Sequence, residues 1–162
     1  MADEVRVEIA RDEDLLPARA HGRALALELG FSPTDATLIA TAISEIARNI
    51  VVHVGKGEIT MKPVQEPSRF GLVVTAIDSG PGIADLEAAL EHGYASAGGL
   101  GLGLPGARRL MDDFDVRSER GTGTTITMTK WRVRDELELL RERRRVLNEK
   151  HQAKQRSDGT GP

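Results

Sequence analysis

Glu45 and Asn49 stand four residues apart in the run from Ile43 to Ile50, and glycines cluster at 80/82, at 98/99/101/103 and at 121/123. Four residues is about one helical turn, so the carboxylate and the amide project from the same helix face. The Asn49 carbonyl oxygen can ligate Mg²⁺, a hard ion that keeps several waters and also takes phosphate oxygens. Glu45 can then orient, and accept a proton from, an attacking hydroxyl or water. Glycines carry no Cβ, so their loops can bring backbone N–H groups close to a phosphate chain. One acid, one metal-capable amide and three such loops make a pocket blueprint.

Asp78 closes an apolar run and directly precedes Ser79-Gly80-Pro81-Gly82. A carboxylate there either stabilises the turn or accepts a hydrogen bond from a ligand. The ends of strands in layered α/β folds are where pockets open, and an ionised Asp, which only accepts, suits an exocyclic amino group such as that of adenine. The stretch from Ala95 to Gly103 leads into a helix start, where N–H groups and the helix dipole favour an anion. Leucines at 100, 102 and 104 would be wasted on a solvated tether, so the reading is a closing lid. The run Gly101-Leu102-Gly103-Leu104-Pro105-Gly106 matches a dinucleotide fingerprint literally, but no strand precedes it, and a Gly-Lys-Ser/Thr phosphate loop is absent.

The elements that must position these groups follow from periodicity. Val5, Val7 and Ile9 alternate with charged residues, which predicts a half-buried strand. A helix follows from Leu15 and stops at Gly30; Ser32-Pro33 then supplies an N-cap and first-turn proline for a second helix. That helix buries Ile39, Ala42 or Ile43, Ile46 and Ile50, with Thr41, Glu45 and Asn49 on another line. Strands are expected at 58–64 and 70–77, the second central, then a short helix at 86–92 and another from Leu104 to Met111. Two closing strands, near Val116 and at 124–130, flank Gly121-Thr122-Gly123.

Composition narrows the function. The 162 residues fit one domain and a tail, with enough apolar content for a core. A net charge of −3 and one Trp and one Tyr give no electrostatic footprint or stacking platform for nucleic acid. Cysteine is absent, which removes disulfides and thiolate chemistry. No apolar run spans a membrane and no secretory signal opens the chain, so a cytoplasmic protein is expected. His21, His53, His92 and His151 share no metal spacing and read as scattered surface or capping residues. Residues 134–162 hold eight Lys or Arg against six Asp or Glu, so the tail is about +2 and the remainder about −5. Val133, Leu137, Leu140 and Leu147 follow a 4, 3, 7 spacing that would turn Arg144 inward in a coiled coil; a surface or fraying helix is the alternative.

Glu45-x-x-x-Asn49, Asp78-x-Gly80-x-Gly82, Gly99-x-Gly101-x-Gly103 and Gly121-x-Gly123-Thr124, in that order, resemble the four nucleotide-binding boxes of the GHKL ATPase/kinase superfamily. More narrowly, TAISEIARNI, DSGPGI, SAGGLGLGLPGARRLMDDF and GTGTTI are similar to the RsbT-like serine/threonine switch kinases of bacterial partner-switching systems. The resemblance spans about Val5 to Arg132. It implies a two-layer α/β sandwich, with a mixed, mainly antiparallel sheet and helices on one face, forming an ATP-binding kinase domain over 1–132. A charged C-terminal helix over 133–151 and a disordered tail over 152–162 complete the expected organisation.

The roles implied by that likeness are Glu45 as catalytic base, Asn49 as Mg²⁺ ligand, and Asp78 as acceptor for the adenine amino group. Gly80 and Gly82 would line the base pocket, Gly99, Gly101 and Gly103 would cover the phosphates, and Thr124 would hold adenine through water. Implied substrates are hydroxyls on STAS-domain antagonist proteins, with activation of a PP2C-type phosphatase by binding as a further implied role. The alternative from the same superfamily is an RsbW-like anti-sigma factor. The ATP domain of a histidine kinase fits poorly, because Val5 already begins the domain and no dimerising helix with a phospho-acceptor histidine precedes it.

Overall fold

A computed structural model describes residues 3–83 and 103–159. The element order is β1 (Val5–Ile9), a 3-10 turn (Asp12–Asp14), α1 (Leu15–Glu28), α2 (Pro33–His53), β2 (Gly57–Gln65), β3 (Arg69–Asp78), α3 (Gly103–Leu110), β4 (Asp113–Glu119), β5 (Gly123–Val133) and α4 (Glu136–Asp158). The helix expected at 86–92 and the glycine run from 95 to 102 lie outside the described residues.

The corner between α1 and α2 forms as its residue types dictate. Gly30 and Phe31 N–H groups donate back to the Leu27 and Ala26 carbonyls, each at 3.0 Å, the paired bonds of a Schellman close. Ser32 Oγ then accepts from the Asp35 N–H at 3.1 Å, and Pro33 takes the first helical position. The expected stripe Ile39, Ala42, Ile43, Ile46 and Ile50 is buried, joined by Ala36, Ala40 and Ala47. Small residues between the isoleucines let α2 sit close to its neighbours.

The sheet runs β1-β2-β3-β5-β4, and every pairing among the described residues is antiparallel, the fully antiparallel limit of the expected sheet. Period-two alternation splits its faces. Ile59, Met61, Leu72, Val74, Ala76, Ile126 and Met128 face the core formed with the helices. On the other side Thr60, Thr75 and Thr127 share one rung, as a face without a helix layer requires. Each fully buried aliphatic side chain stabilises the fold by about 1.5–3 kcal/mol relative to exposure.

α4 extends further than expected, continuing as helix through 152–158. Asp135 caps it, its carboxylate accepting from the Glu138 N–H at 2.8 Å. Two arginines at the end of β5 hold its first turns to the domain. Arg132 pairs with Glu138 at 3.0 Å and Arg134 with Glu142 at 3.5 Å. The two guanidinium groups lie 4.7 and 4.0 Å from the Phe70 ring centre, a cation–π stack that suits arginine better than lysine.

Candidate functional site

At the end of β3 the sheet opens into a cavity of about 190 Å³ between α2, the Pro81–Ile83 turn, α3 and β5. Asn49, Asp78, Gly82 and Thr124 all line it. Three of them come from elements that meet only through tertiary structure, since α2 crosses the sheet where Asp78 pairs in register with Thr124. Apolar walls from Ile46, Ile50, Ala76, Leu104 and Ile126 surround these polar groups. Pockets for drug-sized ligands measure roughly 300–1,000 Å³, and the part walled by the described residues is smaller.

Asp78 stabilises the turn that follows it. Its Oδ1 accepts from the Gly80 N–H at 3.0 Å, closing an Asx turn, while the residue also faces the cavity. Gly80 itself packs under Val54 and lines the neighbouring groove with Asp78 and Lys56, not the cavity. Two glycines are demanded by close approach. A Cβ on Gly82 would lie 2.4 Å from the Glu119 carbonyl oxygen, and one on Gly123 would lie 2.0 Å from that of Asp78. Both have positive φ, +76° and +127°. The two turns are also bonded to each other, Gly121 N–H donating to the Pro81 carbonyl at 2.8 Å.

The Asn49 Nδ2 is buried and has no hydrogen-bond partner among the described residues. A buried N–H donor left unsatisfied costs about 1–3 kcal/mol and calls for an acceptor, such as a ligand oxygen, to complete its shell. With Asp78 and Thr124 across the same cavity, the polar groups fit a nucleotide, the Asn49 Nδ2 facing an acceptor and its Oδ1 being the atom of that amide able to ligate a hard cation. Glu45 sits one turn earlier on α2, half-buried, and is not part of the cavity wall. Gly103 opens α3 with φ +38°, directly before the wall residue Leu104. Gly99 and Gly101 lie outside the described residues.

Two residues were missed from the sequence. His53 forms part of the cavity wall instead of the scattered surface, and burial lowers its pKa. Its signal was available, because it stands four residues after Asn49 on the same helix line. Ser118 is the other: its Oγ accepts from the Ile83 N–H at 2.7 Å and lies 2.9 Å from Thr124 Oγ1. Counting outward from the three-residue loop Arg120-Gly121-Thr122 places Ser118 opposite Thr124, so hairpin register with that loop length would have found it.

Residues 9–130 match the histidine kinase-like ATPase domain family, and the chain belongs to that family. Family membership carries ATP use with it, and the GHKL-type fold is the one observed. Among relatives, the chain is 47% identical over 131 residues to the serine/threonine-protein kinase RsbT of Bacillus subtilis (strain 168), covering 81% of this chain and 98% of that protein. It is also 31% identical over 128 residues to an anti-sigma F factor of Clostridium acetobutylicum, covering 75% and 88% of the two chains. Against an anti-sigma F factor of Clostridium perfringens (strain SM101 / Type A) the identity is 32% over 136 residues, covering 80% and 97%. No described helix is long and apolar enough to cross a membrane.

Proposed function

We propose that this chain is a cytoplasmic, Mg²⁺-dependent serine/threonine protein kinase of a bacterial partner-switching pathway. Its substrates are hydroxyls of STAS-domain antagonist proteins, and it activates a PP2C-type phosphatase by binding. The observation that carries the reading is the convergence of Asn49, Asp78 and Thr124 on one cavity, in a chain so similar to a serine/threonine kinase.

In this reading Asp78 accepts from the adenine amino group with the carboxylate lone pairs not engaged by Gly80, and Thr124 holds the base through water. Gly82, whose contact with the Glu119 carbonyl admits no side chain, holds the turn that closes the base pocket. Asn49 holds the metal, whose charge offsets that of the phosphates. The N-terminus of α3, with Gly103 and the upstream Gly99 and Gly101, directs N–H groups to the phosphate oxygens. Glu45 accepts the proton of the incoming serine or threonine hydroxyl. That oxygen bonds to the γ-phosphorus as the bond to the bridging oxygen breaks, leaving ADP. A place off the cavity wall, half-buried and one turn from Asn49, suits a base that must meet a hydroxyl arriving from solvent.

Labelled ATP incubated with the chain and a STAS-domain protein tests this. Transfer of label to a serine or threonine is expected, and Glu45→Ala should reduce it by about 10²- to 10⁴-fold with ATP affinity retained. Normal ATP binding with no phosphoprotein would defeat the kinase reading. The anti-sigma F factor relatives favour a second reading, nucleotide-gated sequestration of a sigma factor. Stoichiometric co-purification with a sigma factor would select it.

A further inference from the structure

We propose that the outward face of α4 is a docking surface for an acidic amphipathic helix of a partner protein. At 100° per residue, Leu137, Leu140, Arg144 and Leu147 fall on one side of the helix, opposite Glu142 and Val146 on the side toward the domain. The three leucines are 55%, 53% and 65% exposed, whereas the Glu142 side chain is 12% exposed in its pair with Arg134. α4 is thus fixed by one face and leaves an apolar stripe on the other.

Charge says what covers that stripe. Arg141, Arg143, Arg144 and Lys154 border it, all exposed and none in an ion pair among the described residues. Of the acidic residues of the helix, Glu138 and Glu142 are engaged with the domain and Glu149 with Arg145, which leaves only Glu136 and Asp158, at its two ends. A partner helix with leucine-like knobs and flanking carboxylates neutralises the cations while burying the leucines, and a carboxylate opposite Arg144 sets its register. A second copy fits less well: parallel pairing sets Arg144 against Arg144, and the antiparallel register that sets Leu137 against Leu147 sets each Arg144 against Leu140 with no carboxylate to meet it. A lipid surface fits badly as well, since α4 carries no aromatic residue and an arginine interrupts its stripe. The surface lies beyond the family match, which ends at residue 130, and 98% of the RsbT relative aligns within 131 residues.

Fluorescence anisotropy of the full chain with a labelled synthetic peptide tests the proposal. The peptide has about four heptads with Leu at a and d and Glu at e and g, and a matched peptide carries Lys at e and g. The Glu peptide should bind, more weakly as salt rises, and the Lys peptide should not. The triple variant L137Q/L140Q/L147Q and the single variant Arg144→Glu should each weaken binding by about tenfold or more. These positions are exposed and Gln is a good helix former, so fold and helicity are retained. Equal binding of both peptides, binding of neither, or binding untouched by the triple variant overturns the proposal. So does leucine-dependent self-association of the chain alone, or capture by phosphatidylglycerol vesicles in preference to the peptide. ATP binding enters nowhere, so the outcome is independent of the kinase reading.

Discussion

One methyl group distinguishes the demands on Gly121 and Gly123. Both have positive φ, +84° and +127°, yet a Cβ at 121 meets open space and one at 123 meets the Asp78 carbonyl oxygen. Gly121→Ala should therefore cost only the left-handed penalty, about 1–2 kcal/mol. Gly123→Ala must also push β5 away from β3, so about 3 kcal/mol or more is expected, with weaker ATP binding because Asp78 and Thr124 move apart. Denaturant unfolding of the two variants, with ATP titrations beside it, checks the order. Asn49 makes a second prediction at this scale. If its amide holds the metal, Mg²⁺ should tighten ATP binding to the wild type and leave Asn49→Ala nearly unchanged. Equal affinities of the two proteins in Mg²⁺ would remove Asn49 from that role.

Among the elements, α4 depends on pH through two carboxylates. Its hydrogen bond with Arg145, followed by the charges of Arg145 and Arg134, holds the Glu142 carboxyl below the usual carboxylate range. The backbone N–H of Glu138 does the same for the capping Asp135. Both folded-state pKa values are depressed, so the stabilisation is complete above the ordinary carboxylate range and is lost as pH falls through the lowered values. Amide exchange of α4 should therefore accelerate in acid before that of β3 and β5, and Arg134→Ala should produce the same early opening at neutral pH. The elements also show what periodicity could and could not reveal. The isoleucine stripe of α2, the Ser32-Pro33 start and the alternating strands were legible because burial imposes a repeat on residue type. The last turns of α4 were not, because Gln152, Ala153, Lys154 and Gln155 favour helix without any apolar repeat to mark it. His53 was misread for a related reason. A lone histidine has no pattern of its own, and only its phase with Asn49 tied it to the cavity.

At the scale of the molecule, the family-matched domain and the helix that follows it should separate cleanly. Deletion of residues 136–162 should leave cooperative unfolding and ATP affinity within about threefold of the full chain, since β5 ends before α4 begins and no α4 residue lines the cavity. Calorimetry and nucleotide titration of the truncated protein would measure this, and loss of either property would make α4 part of the ATPase domain itself. Sheet order carries a further consequence. β5 is the last strand synthesised, yet it lies between β3 and β4 and brings Thr124 and Ile126 to the cavity. On the ribosome, β4 therefore waits without a neighbour until β5 emerges, and the nascent chain has no complete base-binding wall before then. Nucleotide capture thus becomes a mark of a closed sheet, withheld from every fragment that stops short of β5.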